Sequence, residues 1–244
     1  MASDSIEGGI RLVWFLIQLM LLVIGLLILP GVIAQRKAVR ERQKKAMAAK
    51  ASELGMRLSS GLPSHLLYVA RHLDEPDVSG DNRYAFNIMD GEYSGRPVLL
   101  FDYHYRTKGE WFWAPSWKKP NYVCVVLVDL EKQFPELIIG PEGGGLFSRI
   151  AEAFGGGDID FESHEFSEAF DVRSKDKKFA YDFCNAQMIE YLLANKGLSL
   201  EVDQTVLALG AKGMHNVHKI ESRLQSLAEI RNRMPNYLFE GANA

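Results

Sequence analysis

The densest set of side chains able to do chemistry is the run DIDFESHE, from Asp158 to Glu165. Read as a strand at period two, it sends Asp158, Asp160, Glu162 and His164 to one face and Ile159 and Phe161 to the other. Three carboxylates and an imidazole in a row suit a divalent cation held through oxygen and nitrogen. The same alternation is what an antiparallel sheet shows to water, and carboxylates two residues apart along a strand stand roughly 6–7 Å from one another. A solvated face is the simpler reading, and the metal site is its alternative.

Elsewhere the signals are thinner. His104 shares a strand face with Asp102, the sketch of a base and its orienting carboxylate. His215 and His218 stand three apart on one helix face, but zinc needs further ligands that the pattern does not supply. No serine or cysteine sits in an elbow motif. The glycine triplets at 143–145 and 155–157 lack both the G-K-[ST] ending and the G-x-G-x-x-G spacing of phosphate cradles. Cys124 and Cys184 lie mid-strand and mid-helix in apolar surroundings, which reads as two structural thiols, a disulfide being the alternative. No catalytic set, resident metal or cofactor is expected.

The elements that would position these groups follow from periodicity. Ser64–Leu73 reads as an amphipathic helix. Arg83–Tyr93 and Arg96–Thr107 alternate around Ser94-Gly95 and predict a hairpin with Phe101, Tyr103 and Tyr105 on one face. Trp111, Trp113 and Trp117 crowd one connection and suit a cap over the sheet end, a membrane-interface belt, a ligand platform or a partner contact. Tyr122–Leu130 is almost continuously apolar and β-branched, the mark of a central strand, and Glu136–Gly140 is a shorter one. Leu146, Phe147, Ile150, Ala151 and Phe154 form a small apolar helix face between the glycine triplets. Asp158–Val172 reads as one or two strands, Tyr181–Ala194 as a helix, and Leu198–Val202 with Thr205–Leu209 as a second hairpin. Asn216–Met234 closes the chain as a helix with Val217, Ile220, Leu224, Leu227 and Ile230 at core spacing.

Strands and helices so ordered predict an α+β fold with a mainly antiparallel sheet and packed helices, carried behind an N-terminal transmembrane helix. The transmembrane reading rests on Leu12–Leu29, an apolar run broken only by Gln18, with Leu12, Trp14, Phe15, Leu19, Leu22, Ile24 and Leu27 as its membrane anchors. Arg36, Lys37, Arg40, Arg42, Lys44 and Lys45 follow it and would meet lipid headgroups. That bias places the N-terminus outside and the domain in the cytoplasm, at a bacterial inner membrane. A cleaved signal peptide is the alternative, set against by an acidic leader and a long apolar core. The expected divisions are a tail at 1–9, the membrane helix at 10–34, a basic helical stem at 35–54 and the α+β domain at 55–244.

The net charge of −3 conceals an asymmetry, because residues 1–54 hold eight of the 28 basic and four of the 31 acidic side chains. The domain beyond is acidic, which argues against nucleic acid as a partner.

At FDYHYRT (101–107), YVCVVLVDL (122–130) and FDVRSKDKKFAYDFCNAQMIEYLL (170–193) the chain resembles bacterial membrane-anchored proteins of unknown function. The resemblance spans roughly residues 55–238 and implies one N-terminal helix with a cytosolic α+β domain, and no activity or site. The functional expectation is a non-enzymatic scaffold, adaptor or accessory subunit of a membrane complex, touching lipid and an integral membrane partner. Trp111, Trp113, Trp117, Phe147 and Phe154 are its candidate partner contacts. The alternatives are a membrane-tethered metal-dependent hydrolase and a lipid- or ligand-sensing domain.

Overall fold

A computed structural model describes residues 2–59, 61, 84–108, 118–142 and 159–240. The helix expected at Ser64–Leu73, the three tryptophans, Phe147, Phe154 and Asp158 lie outside them. The chain divides into two compact units, Met1–Ala49 and Lys50–Ala244.

The first unit is helical, part of α1 (Ala2–Glu53), which runs through Pro30 without ending. Here the expected fold is corrected. Among the described residues no helix is long and apolar enough to cross a membrane. Among the described side chains the apolar stretch is Trp14–Val23, fewer than the roughly 20 residues a hydrocarbon core takes. Trp14, Phe15, Leu19 and Leu22 are exposed, as are Lys37, Arg42, Lys44 and Lys45. The side chains of Leu12, Ile24, Leu27, Arg36 and Arg40 lie outside the described set.

The second unit is α+β with a six-stranded, wholly antiparallel sheet. Its strands are β1 (Arg57–Ser59), β2 (Tyr84–Tyr93), β3 (Arg96–Lys108), β4 (Lys118–Pro141), β5 (Phe170–Ser174) and β6 (Ser199–Lys212). They follow in order from β1 to β5, and β6 also pairs with β4. The expected β2–β3 hairpin forms because Ser94 and Gly95 both take positive φ, at 52° and 73°, matching a primed turn that follows the strand twist.

The two predicted strands at 122–130 and 136–140 are one long strand, β4, bent where Glu131 takes a φ of 60°. The second predicted hairpin is likewise one strand: Gln204, at φ 49°, bends β6 opposite Phe134, and both halves of β6 stay on β4. Asp203-Gln204 reads as a turn in sequence because polar residues at a left-handed position are turn chemistry. Here they accommodate a shared bulge.

Two faces of this sheet are buried. On one, Ile88, Leu99, Phe101, Tyr103, Val123, Val125, Leu127, Val206 and Ala208 form a cluster, with Tyr105 packed against it. Residues one step along the strands, Leu100, Asp102, Cys124 and Val126 among them, fall on the other face and are buried too. The closing helix, expected from Asn216 to Met234, begins as a 3₁₀ turn at Val217–Lys219 and continues as α5 (Ile220–Arg233). Ile220, Leu224, Leu227 and Ile230 are buried along one stripe, each contributing about 1.5–3 kcal/mol by transfer.

Among the described residues the unit has three further short α-helices, α2 (His164–Ala169), α3 (Lys177–Phe183) and α4 (Ala186–Ala194). The single helix predicted at 181–194 is interrupted because Asn185 serves as the N-cap of α4. Its side chain accepts from Met188 N–H at 3.1 Å and donates to the Arg233 carbonyl at 2.8 Å, tying α4 to the end of α5.

Candidate functional site

Two places gather reactive or unpaired groups. The first lies where Asp102, Cys124, His215 and Arg223 meet. Asp102 is fully buried, and its two carboxylate oxygens accept from Asn87 Nδ2 at 2.8 Å and from the His215 backbone N–H at 2.7 Å. The His215 ring meets the Val125 carbonyl through Nε2 at 3.2 Å and an Arg223 guanidinium nitrogen through Nδ1 at 3.1 Å. The guanidinium can only donate, so Nδ1 accepts and Nε2 carries the hydrogen. The same Arg223 nitrogen donates to Cys124 Sγ.

Burial, with the neighbouring Arg223 charge, lowers the His215 pKa to about 3. Burial raises the Asp102 carboxyl, against the hydrogen bonds of Asn87 and His215 and the charge of Arg223. It raises the Cys124 thiol as well, with Arg223 pulling the other way. The residue types are those of a thiol triad, but the wiring is not. Both imidazole nitrogens are spent on Arg223 and Val125, and the carboxylate holds the His215 backbone rather than its ring. A relay needs a ring nitrogen facing the thiol and a carboxylate facing the other nitrogen. The cluster pins the segment before α5, and α5 itself, onto β3 and β4.

His104, expected beside Asp102 as a base, is buried and stacks on Tyr84 at 4.9 Å between ring centroids, with Tyr122 edge-on at 5.0 Å. His218 is exposed in the 3₁₀ turn, while His215 is inside, so the two do not act together. Cys124 and Cys184 are both free thiols.

The second place is a surface groove of about 670 Å³. One wall is the irregular stretch Asp160–Ser163, a second is Tyr181 of α3, and a third is Ala186, Ile189, Glu190 and Leu193 of α4, with Cys184 between the helices. The stretch expected as a metal-binding strand face is therefore neither strand nor flat. It leaves the sheet after Ile159, whose N–H donates to Val172 O at 2.9 Å, and reaches the Ser163 cap of α2.

Phe161 is held at both backbone groups by the Ser167 hydroxyl, at 3.0 Å and 3.4 Å, which turns its ring against Phe166 and Tyr181, each 5.2 Å away. Tyr181 donates its hydroxyl to the Asp160 carbonyl at 3.2 Å. Asp160 and Glu162 are exposed on the groove, and His164 is turned away to pair with Glu168 at 3.2 Å. Among the described residues no group of three or more His, Cys, Asp or Glu could hold a metal ion. Sequence reasoning singled out Asp160 and Glu162 but missed Tyr181, Ile189, Glu190 and Leu193. Their only signal is a place on the helix expected at 181–194, which sequence does not divide at Asn185.

No family model matches the chain, and no curated protein matches it. It is similar to a solved structure described as the mycobacterial trehalose monomycolate transport factor A, at 11% identity and a TM-score of 0.50. The match covers 78% of this chain and 92% of that one. At that identity the likeness is one of fold, and it accords with the α+β domain implied by the resemblance noted in the sequence.

Proposed function

We propose that the chain is a non-enzymatic adaptor or accessory subunit of a larger membrane protein complex, its acidic domain lying on the cytoplasmic side. The observation that carries this reading is the groove between Phe161, Tyr181 and α4, an apolar recess rimmed by carboxylates that no described residue pairs. Such a recess, open at the surface, is a place where another molecule can bind. The exposed apolar side chains Trp14–Val23 and the basic residues after them add a second contact region, suited to a membrane assembly. The similar fold of a protein described as a transport factor favours the same class.

Purification of the full chain in mild detergent tests the proposal. An integral membrane protein is expected to co-purify in fixed stoichiometry. A monodisperse monomer without a partner overturns it.

A further inference from the structure

The groove has chemistry enough to name what fits it. Its lining combines apolar side chains, Phe161, Tyr181, Ile189 and Leu193 among them, with the carboxylates of Asp160, Glu162 and Glu190. Asp160 and Glu162 come from the irregular stretch and Glu190 from α4, and among the described residues no lysine, arginine or histidine lines it. On the flanking helices Lys178 pairs with Asp182 at 2.7 Å, and after α4 Lys196 pairs with Glu165 at 3.1 Å.

An apolar groove carrying carboxylates from two different elements is complementary to a helix that presents apolar anchors at i, i+3 or i+4 and i+7, with cations beside them. The walls are preformed. Ser163 caps α2, Asn185 caps α4, and Ser167 holds Phe161, so little ordering opposes binding.

We infer that this groove docks a cationic amphipathic helix of a protein partner, with Phe161, Tyr181, Ile189 and Leu193 receiving its apolar side chains and Asp160, Glu162 and Glu190 its charges. The inference rests on the adaptor reading and gives the partner its chemistry.

The test uses the full chain in a nonionic amphipol and a fluorescein-labelled peptide of Leu and Lys at helical spacing, read by anisotropy against empty amphipol. Saturable binding is expected. The double substitution Glu162→Lys with Glu190→Lys is expected to weaken it at least tenfold, and Ile189→Ser comparably. Glu92→Lys, an exposed change on β2, is expected to leave it unchanged, and a Leu/Glu peptide of the same pattern is expected not to bind.

Undiminished affinity in the groove variants, or equal binding of the Leu/Glu peptide, overturns the inference. So does a dimer by light scattering that Leu193→Asp disperses, since a second copy would then be the occupant. If groove-dependent peptide binding holds while no partner co-purifies, only the adaptor reading falls. If a partner co-purifies while the peptide ignores the groove, only the helix assignment falls.

Discussion

His215 concentrates the residue-scale physics of the domain. In the unfolded chain an imidazole takes a proton as pH falls through about 6.5, whereas the folded ring stays neutral down to about 3. The unfolded state therefore binds more protons between those values. The stability His215 contributes is complete above about pH 6.5 and drains as pH falls toward 3, by up to about 1.4 kcal/mol per unit. Asp102 works in the opposite sense, because a raised carboxyl pKa favours the native state where the acid is protonated. Urea unfolding of the wild type and of His215→Gln separates the two. Between pH 7 and about 5.5 the wild type is expected to lose roughly 1 kcal/mol more than the variant. Equal losses would show that the ring titrates normally in the fold. Arg223→Leu removes the donor to both Cys124 and His215 Nδ1, and a cost of about 1–3 kcal/mol in the same assay is expected.

The elements impose steeper costs, because each is defined by packing. Leu224 is fully buried on the stripe of α5, so Leu224→Ala is expected to destabilise by about 2–5 kcal/mol in urea. Gly91 in β2 meets Met56 so closely that an added Cβ would lie 2.8 Å from the Met56 Cγ and 3.0 Å from its Cα. Gly91→Val is expected to cost about 1–3 kcal/mol, and an unchanged urea midpoint would mean that the chain around Met56 yields freely. These elements differ in how openly the sequence declares them. The β2–β3 hairpin is legible because Ser94-Gly95 is decided within a few residues, and the α5 stripe because its period is local. β6 is not, since the bend at Gln204 is imposed by the partner strand and looks in sequence like a chain reversal. The groove is less legible still. Phe161, Tyr181 and Leu193 meet only once α2, α3 and α4 have packed, and the break at Asn185 is set by a carbonyl at Arg233. Strand geometry alone pairs Asp102 with His104, while its observed partners, Asn87 and the His215 N–H, come from another strand and from the segment before α5.

For the whole molecule, charge organises the contacts. The acidic domain and the basic residues of α1 favour different surfaces, so raising the salt concentration is expected to loosen a groove-bound cationic helix as screening grows. Sedimentation of the detergent-purified complex at low and high salt checks this, and a salt-indifferent complex would point to apolar contacts alone. The order of the strands has a further consequence, for synthesis. β4 gains its β3 edge as it is made, but the register from Val123 to Ile139 on its other edge is supplied by β6, the last strand in the chain. At roughly 5–20 residues per second, the ribosome leaves that apolar edge without its mate for several seconds. During that interval the unpaired edge of β4 is open to pairing with other chains, and truncation before Ser199 would leave it so permanently.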